Sequence, residues 1–288
     1  MRQGSGTEGI VNSGAVAYLY ENLYNKTFMK TGLKVGGIKA GETILSGTSA
    51  GVRKTDAVRA AVTLSMFLLA FISAVSCLEK KTVVILGDSY STFEGYVPEG
   101  FAIWYDSNPK AENDVTEVEQ TWWYRLCQKE GLKLLGNNSY SGSTVCNTGY
   151  DGADYSDRSF ITRMPQTLGY SAERPDIILI FGGTNDSWSD APLGSLKFAD
   201  WTEEDLKQAL PAYCYMLNYY KMYAPKSRVI NIVNDGLKPE ITEGIVKAAE
   251  HYGMEYVRLE GIDKGWGHPS VKGMRQICDA LAAVIDPD

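Results

Sequence analysis

Five short apolar runs, separated by stretches of helical character, constrain this chain more than any other feature of its sequence. They are residues 82–86 (TVVIL), 132–136 (LKLLG), 176–181 (DIILIF), 228–233 (RVINIV) and 255–259 (EYVRL). In runs such as 83–86 the branched apolar residues are consecutive rather than alternate, which suits strands covered on both faces. The intervening segments read as helices. Residues 120–130 (QTWWYRLCQKE) precede the second strand, and 202–223 opens on Thr202 with Asp205 three residues later, a variant of the capping box. The stretch 239–253 has Pro239 in its first turn and Gly253 just past its end, and Ser270 caps a last helix over about 270–284.

Strands alternating with helices build a parallel sheet with helices on both faces. The expected fold is α/β, a flavodoxin-like three-layer α/β/α sandwich around a five-stranded parallel sheet, spanning residues 78–288 as one domain. With 44% hydrophobic and 22% charged residues, the composition is that of a folded globular protein. A net charge of −7 argues against nucleic acid as the partner, because that binding is driven by Lys and Arg on phosphate. Only His251 and His268 are present, and Cys77, Cys127, Cys146, Cys214 and Cys278 show no CxxC spacing, so neither a metal nor a cofactor is expected.

The N-terminal segments follow different rules. Residues 60–76 form an uncharged apolar run preceded by Arg53, Lys54 and Arg59 and followed by small residues ending at Cys77. Basic, apolar, then small is the order of a secretory signal peptide. The ending AVSC resembles a bacterial lipobox, with Ala74 where Leu is usual and Cys77 as the lipidated residue. As a helix the run would reach about 26 Å, marginal for spanning a bilayer. Residues 53–77 are therefore expected to be a signal peptide and lipobox. The domain after them is expected in the periplasm or at the cell surface, with membrane attachment through Cys77. Residues 1–52 stay unassigned; Val52 before Arg53 and Lys54 would make a conventional start, so the upstream segment reads as a mis-assigned start or fusion remnant. It contains GTSAG, which fits the G-x-S-x-G pattern around Ser49, but five small residues match that pattern easily by chance.

The chemistry is expected where the first strand ends. Val83–Leu86 hands over without transition to Gly87, Asp88 and Ser89. Catalytic groups gather at the carboxyl ends of strands in open parallel sheets, which makes Ser89 a candidate nucleophile. A serine hydroxyl needs a base, and histidine suits that role near neutral pH. His268, after the fifth strand and before the last helix, falls on the same rim. His251 lies at a helix end, where a cation meets the dipole favourably, and is read as structural.

GDSYS (87–91), NNSYSGS (137–143), GGTND (182–186) and GHPS (267–270) occur in this order, three of them directly after expected strands. Together they resemble the four signature blocks of the GDSL/SGNH hydrolases, a family of serine esterases and lipases, over about residues 80–285. The resemblance implies Ser89 as nucleophile and His268 as base, with the Ser89 and Gly142 backbone N–H groups and the Asn185 side chain forming an oxyanion hole. Each donor type is chemically apt, since glycine lets substrate approach the backbone and an amide offers N–H₂. Asp88 and Asp186 are expected to hold loops. The family's acid usually stands three residues before the histidine, but that position is Gly265 here. Asp263, five residues before His268, is the favoured substitute, with a backbone carbonyl and a Ser–His dyad as the alternative.

The implied activity is hydrolysis of acyl esters, acetyl above all, on a small-molecule or glycan substrate. Trp104, Tyr105, Tyr150, Tyr155, Trp188 and Trp266 in rim loops are candidates to stack on sugar rings. A lipase or thioesterase on short acyl chains and a non-catalytic glycan-binding surface lipoprotein are the competing readings. A phosphate binder using the loop after the first strand is disfavoured by Asp88 and by the lack of Lys or Arg before Lys110.

Overall fold

Residues 80–285 are described by the computed structural model of the protein. Residues 1–52, Ser49, the apolar run and Cys77 lie outside them. The central sheet has strands β1 (Thr82–Gly87), β2 (Lys133–Ser139), β3 (Ile177–Phe181), β4 (Arg228–Val233) and β5 (Glu255–Arg258). All pairings are parallel and the order is β2-β1-β3-β4-β5, the flavodoxin-like arrangement expected. The helices are α1 (Trp122–Lys129), α2 (Phe160–Thr167), α3 (Thr184–Trp188), α4 (Ala209–Tyr223), α5 (Pro239–Tyr252) and α6 (Val271–Ile285).

Strand periodicity explains the three layers. Successive side chains of β1 point to opposite faces. Val84 and Leu86 join Ile178 and Ile180 in a core with α2, α4 and α5, while Val83 and Ile85 join Ile177 and Leu179 in a second core with α1 and α6. Both faces of β1 and β3 are covered, so these central strands read as nearly unbroken apolar runs.

Two boundaries differ from expectation for local reasons. The helix expected from residue 202 begins at Ala209, because Pro211 lacks an N–H and is tolerated only in a first turn. The Thr202–Asp205 pair does bond reciprocally, but it closes a short 3-10 turn over Asp205–Lys207. Strand β2 continues through Asn137, Asn138 and Ser139, which read as loop residues. Their side chains find buried partners instead: Asn137 Nδ2 donates to the Ser91 carbonyl at 2.7 Å, and Asn138 Oδ1 accepts from Arg163 at 2.9 Å.

Asn231 is a polar residue buried within β4. Its amide donates to the Glu255 carbonyl at 2.9 Å and accepts from the Tyr213 hydroxyl at 2.8 Å. Tyr213→Phe strands that acceptor, so unfolding free energy is expected to drop by about 1–3 kcal/mol. Urea denaturation should show a lower midpoint at an unchanged slope; an unchanged midpoint would count against the bond.

Candidate active site

In a 2-1-3-4-5 sheet the crossovers reverse direction between β1 and β3, and the crevice at that switch point is where ligands bind in such folds. Ser89 stands there. Asp88 ends β1 by accepting the Tyr90 N–H at 3.1 Å, which starts a 3-10 turn with Ser89 as its first residue. Gly87 is required just before it, since a Cβ would come within 2.7 Å of the Ser91 hydroxyl oxygen and still closer to that of Ser139. Asp88 is fully buried, and burial pushes its carboxyl up to about 7 despite the Tyr90 bond. Its role is to shape the turn, as expected.

His268 reaches the same point from the other side of the sheet. Strands β6 (Lys264–Gly265) and β7 (His268–Pro269) pair as a tight antiparallel hairpin with Trp266 and Gly267 at its tip. Both tip residues have positive φ, 51° and 79°, as a type I′ turn demands. The turn aims the Trp266 carbonyl at the ring of His268, 3.2 Å from Nδ1, while Nε2 lies 2.9 Å from Ser89 Oγ. A carbonyl only accepts, so Nδ1 carries the proton and Nε2 is left free to accept from the serine. Burial is the main cause that pulls the His268 pKa down to about 4; the Trp266 carbonyl opposes it and the charge of Lys264 adds to it.

The same hairpin removes Asp263 from the imidazole, correcting the favoured expectation. The Asp263 carboxylate accepts the Ser270 hydroxyl and lies 3.4 Å from Lys272 Nζ. Its N–H donates to Gln276 Oε1 at 2.8 Å, and its carbonyl accepts the Ser270 N–H at 3.0 Å. Asp263 therefore fastens the hairpin to the start of α6, and the Ser270 bond holds its carboxyl below the usual range. The two extra residues do not lengthen a loop; they fold into a turn that substitutes a main-chain carbonyl.

The third loop enters with Asn185, buried in the first turn of α3. Its Nδ2 donates to the Ser143 carbonyl at 3.0 Å, leaving one amide hydrogen, and its Oδ1 accepts from Tyr150 at 2.9 Å. Gly142, one residue from Ser143, has φ 81° with open space where a Cβ would lie, so the turn's conformation selects glycine. Among the described residues, the main-chain N–H groups of Ser89 and Gly142 have no acceptor. Asp186 accepts from the Val145 and Cys146 N–H groups at 2.8 and 3.3 Å, holding the Ser143 loop beside Asn185. Ser89 and His268 are thus hydrogen-bonded to each other, and Asn185 is tied to the carbonyl next to Gly142.

The aromatic residues divide into two sets. Trp104 lies flat against His268, ring centroids 3.6 Å apart and planes 7° apart, and Tyr105 is buried with its hydroxyl on the Pro269 carbonyl at 2.9 Å. Tyr155 packs under Gly149 and beneath the guanidinium of Arg158. Tyr105 is thereby removed from the surface, while Trp104 and Tyr155 are half-buried, each with one ring face occupied. Trp188 and Trp266 remain exposed, 41% and 74%, with Trp188 near the His268 ring. Sequence reasoning offered a backbone carbonyl as the alternative without locating it at Trp266, and missed the Tyr90 hydroxyl on the Gly267 carbonyl and Arg163. Buried Arg163 bonds the Gly87 carbonyl at 3.1 Å and the Ser143 hydroxyl at 2.9 Å, tying two site loops together. Gly267 after Trp266 was the signal for the hairpin; Arg163 sits in a helix obscured by Pro165.

The five-stranded parallel sheet with helices on both faces is the fold of an ester hydrolase of the three-layer α/β class. The family model for GDSL-like lipases/acylhydrolases matches residues 81–285, and the chain belongs to that family, whose members hydrolyse esters. A crystal structure of a candidate GDSL-like lipase from Bacteroides uniformis is 50% identical, covers 74% of this chain and 99% of its own, and superposes with a TM-score of 0.70. Its counterpart from Bacteroides ovatus is 47% identical, covering 70% of this chain and 96% of its own, with a TM-score of 0.67. A carbohydrate esterase whose active site displays catalytic and non-catalytic binding functions shares the fold at 18% identity and TM-score 0.52, covering 73% of this chain and 66% of its own. No curated protein matches significantly.

Asp263→Asn is expected to lower kcat for an activated acetyl ester by less than about tenfold, against about 10⁴-fold where a carboxylate orients the imidazole. Steady-state kinetics distinguish the two, and a loss near the larger figure would return Asp263 to the mechanism.

Proposed function

We propose that this protein is an exported serine esterase that removes short acyl groups, acetyl above all, from carbohydrate by a Ser–His dyad. The observation that carries the chemistry is the pair of contacts that joins Ser89 Oγ through His268 to the Trp266 carbonyl, at 2.9 and 3.2 Å. In this reading Nε2 takes the serine proton as Oγ attacks the acyl carbon. The charge gathering on the carbonyl oxygen is met by the Ser89 and Gly142 N–H groups and by Asn185 Nδ2. Collapse of the tetrahedral adduct expels the alcohol, which takes the proton back from His268, and water repeats the sequence on the acyl-enzyme.

The substrate class is supported by two exposed tryptophans, Trp188 beside the His268 ring and Trp266 at the tip of the hairpin that carries it. Indole faces offer a sugar ring flat apolar area beside a polar, solvated rim. The likeness to the carbohydrate esterase is one of fold alone. Export with lipidation at Cys77 rests on the sequence alone, and N-terminal analysis of protein from the native cell tests it.

Ser89→Ala is expected to lower kcat for p-nitrophenyl acetate by about 10⁴-fold or more while leaving the fold intact. The unmodified protein should prefer acetyl to octanoyl esters and release acetate from acetylated xylan or a similar glycan. Preference for long acyl chains would favour the lipase reading. Activity of Ser89→Ala within tenfold of the unmodified protein would remove Ser89 from the mechanism.

A further inference from the structure

A dyad leaves one energetic demand unmet. Nε2 of His268 must take a proton, yet burial and the nearby Lys264 both act against an imidazolium at this position. A carboxylate on Nδ1 would offset them, and Asp263 is turned away. The charged groups around the ring offer no substitute. Lys264 is paired with Asp235 and lies 5.5 Å from the Tyr90 ring, and Asp88 is buried behind Ser89 and bonded to the Tyr90 N–H. Tyr90 and Tyr105 are neutral, their hydroxyls raised by burial and committed to the Gly267 and Pro269 carbonyls.

Two indoles also border the ring: Trp188 lies edge-on at 5.6 Å, while Trp104 lies parallel to the imidazole at 3.6 Å and alone presents its full face to it. The Trp104 backbone N–H donates to Thr92 Oγ1 at 2.9 Å, and that hydroxyl donates to the Ser89 carbonyl at 3.0 Å, so one side chain fastens Trp104 to the turn that carries the nucleophile. The indole N–H has no acceptor among the described residues. The ring is therefore placed by its face and not by its polar edge.

We propose that Trp104 is a positioning residue for the acyl-transfer step, its indole face stabilising the His268 imidazolium in place of the absent carboxylate. The proposal rests on the esterase reading above. The face of tryptophan is the strongest cation-π partner among the side chains, and a neutral imidazole gains little from it. The contact thus strengthens as the proton moves from Ser89 to Nε2, so it acts on the transition state and not on substrate binding. Trp104 contributes to kcat, leaving glycan contacts to Trp188 and Trp266.

The test places mono-, di- and trifluorotryptophan at position 104 of the full chain, isosteric rings of progressively weaker face, with Trp104→Leu alongside. Two quantities are read: the titration of His268 by NMR, resolved because the chain has only two histidines, and kcat and KM for p-nitrophenyl acetate. The His268 pKa should fall stepwise with fluorination, and kcat should fall with it by about 3- to 30-fold in total at constant KM. A flat pKa and flat kcat across the fluorinated series overturn the proposal even if Trp104→Leu is crippled, since the ring would then act by shape alone. A rise in KM at constant kcat overturns it in favour of substrate contact. Failure of the unmodified protein to hydrolyse any ester would instead overturn the esterase reading, and the NMR titration would still decide what Trp104 does to His268.

Discussion

The hydrogen bond from His268 Nδ1 to the Trp266 carbonyl is the contact on which the rest of the site depends. It fixes the tautomer, and so decides that Nε2 faces Ser89 as an acceptor. A neutral carbonyl does this without adding charge, which leaves the base weaker than one paired with a carboxylate. The hairpin that supplies the carbonyl is held from several sides. Tyr90 and Tyr105 bond the carbonyls that flank His268, Asp263 anchors the hairpin to α6, and Trp188 packs on Gly267. Trp266 itself sits in a left-handed conformation that costs a non-glycine residue of order 1 kcal/mol or more, and these contacts are what hold it there.

Behind the rim lies a buried polar frame. Arg163 bonds main-chain carbonyls from β1 and β2, while Asp186 collects N–H groups from the loop that receives Asn185. Burial lowers the Arg163 pKa to about 9 and raises that of the Asp186 carboxyl. Such groups are costly to bury and are tolerated because their hydrogen bonds are satisfied. Their effect is to fix three loops from separate strands relative to one another, which is what the proposed oxyanion hole, assembled from separate segments, requires.

Much of this is legible in the sequence, because strand burial leaves consecutive apolar residues and a parallel sheet puts strand ends on one rim. Position and motif single out Ser89, Gly142, Asn185 and His268; the structure bonds Ser89 to His268 and Asn185 to the carbonyl next to Gly142. Direction is what cannot be read. Asp263 lies within reach of His268 by count of residues, but a type I′ turn between them points its carboxylate the other way. Trp104 and Tyr105 look like rim aromatics in sequence, and only packing reveals that one stacks on the base and the other is buried. The helix over 160–167 is hidden by Pro165, and with it Arg163.

The most direct test weakens the one acceptor on which the site relies. Replacing Gly267 by glycolic acid, through nonsense suppression in the full chain, converts the Trp266–Gly267 amide to an ester and makes the Trp266 carbonyl a poorer acceptor. Geometry and side chains are otherwise kept. If that carbonyl orients the base, kcat for an acetyl ester should fall by about 3- to 10-fold at unchanged KM, the size of one weakened hydrogen bond, and the acidic limb of the pH–rate profile should move lower. An unchanged kcat and an unmoved limb would contradict this, because His268 would then be oriented by something other than the Trp266 carbonyl.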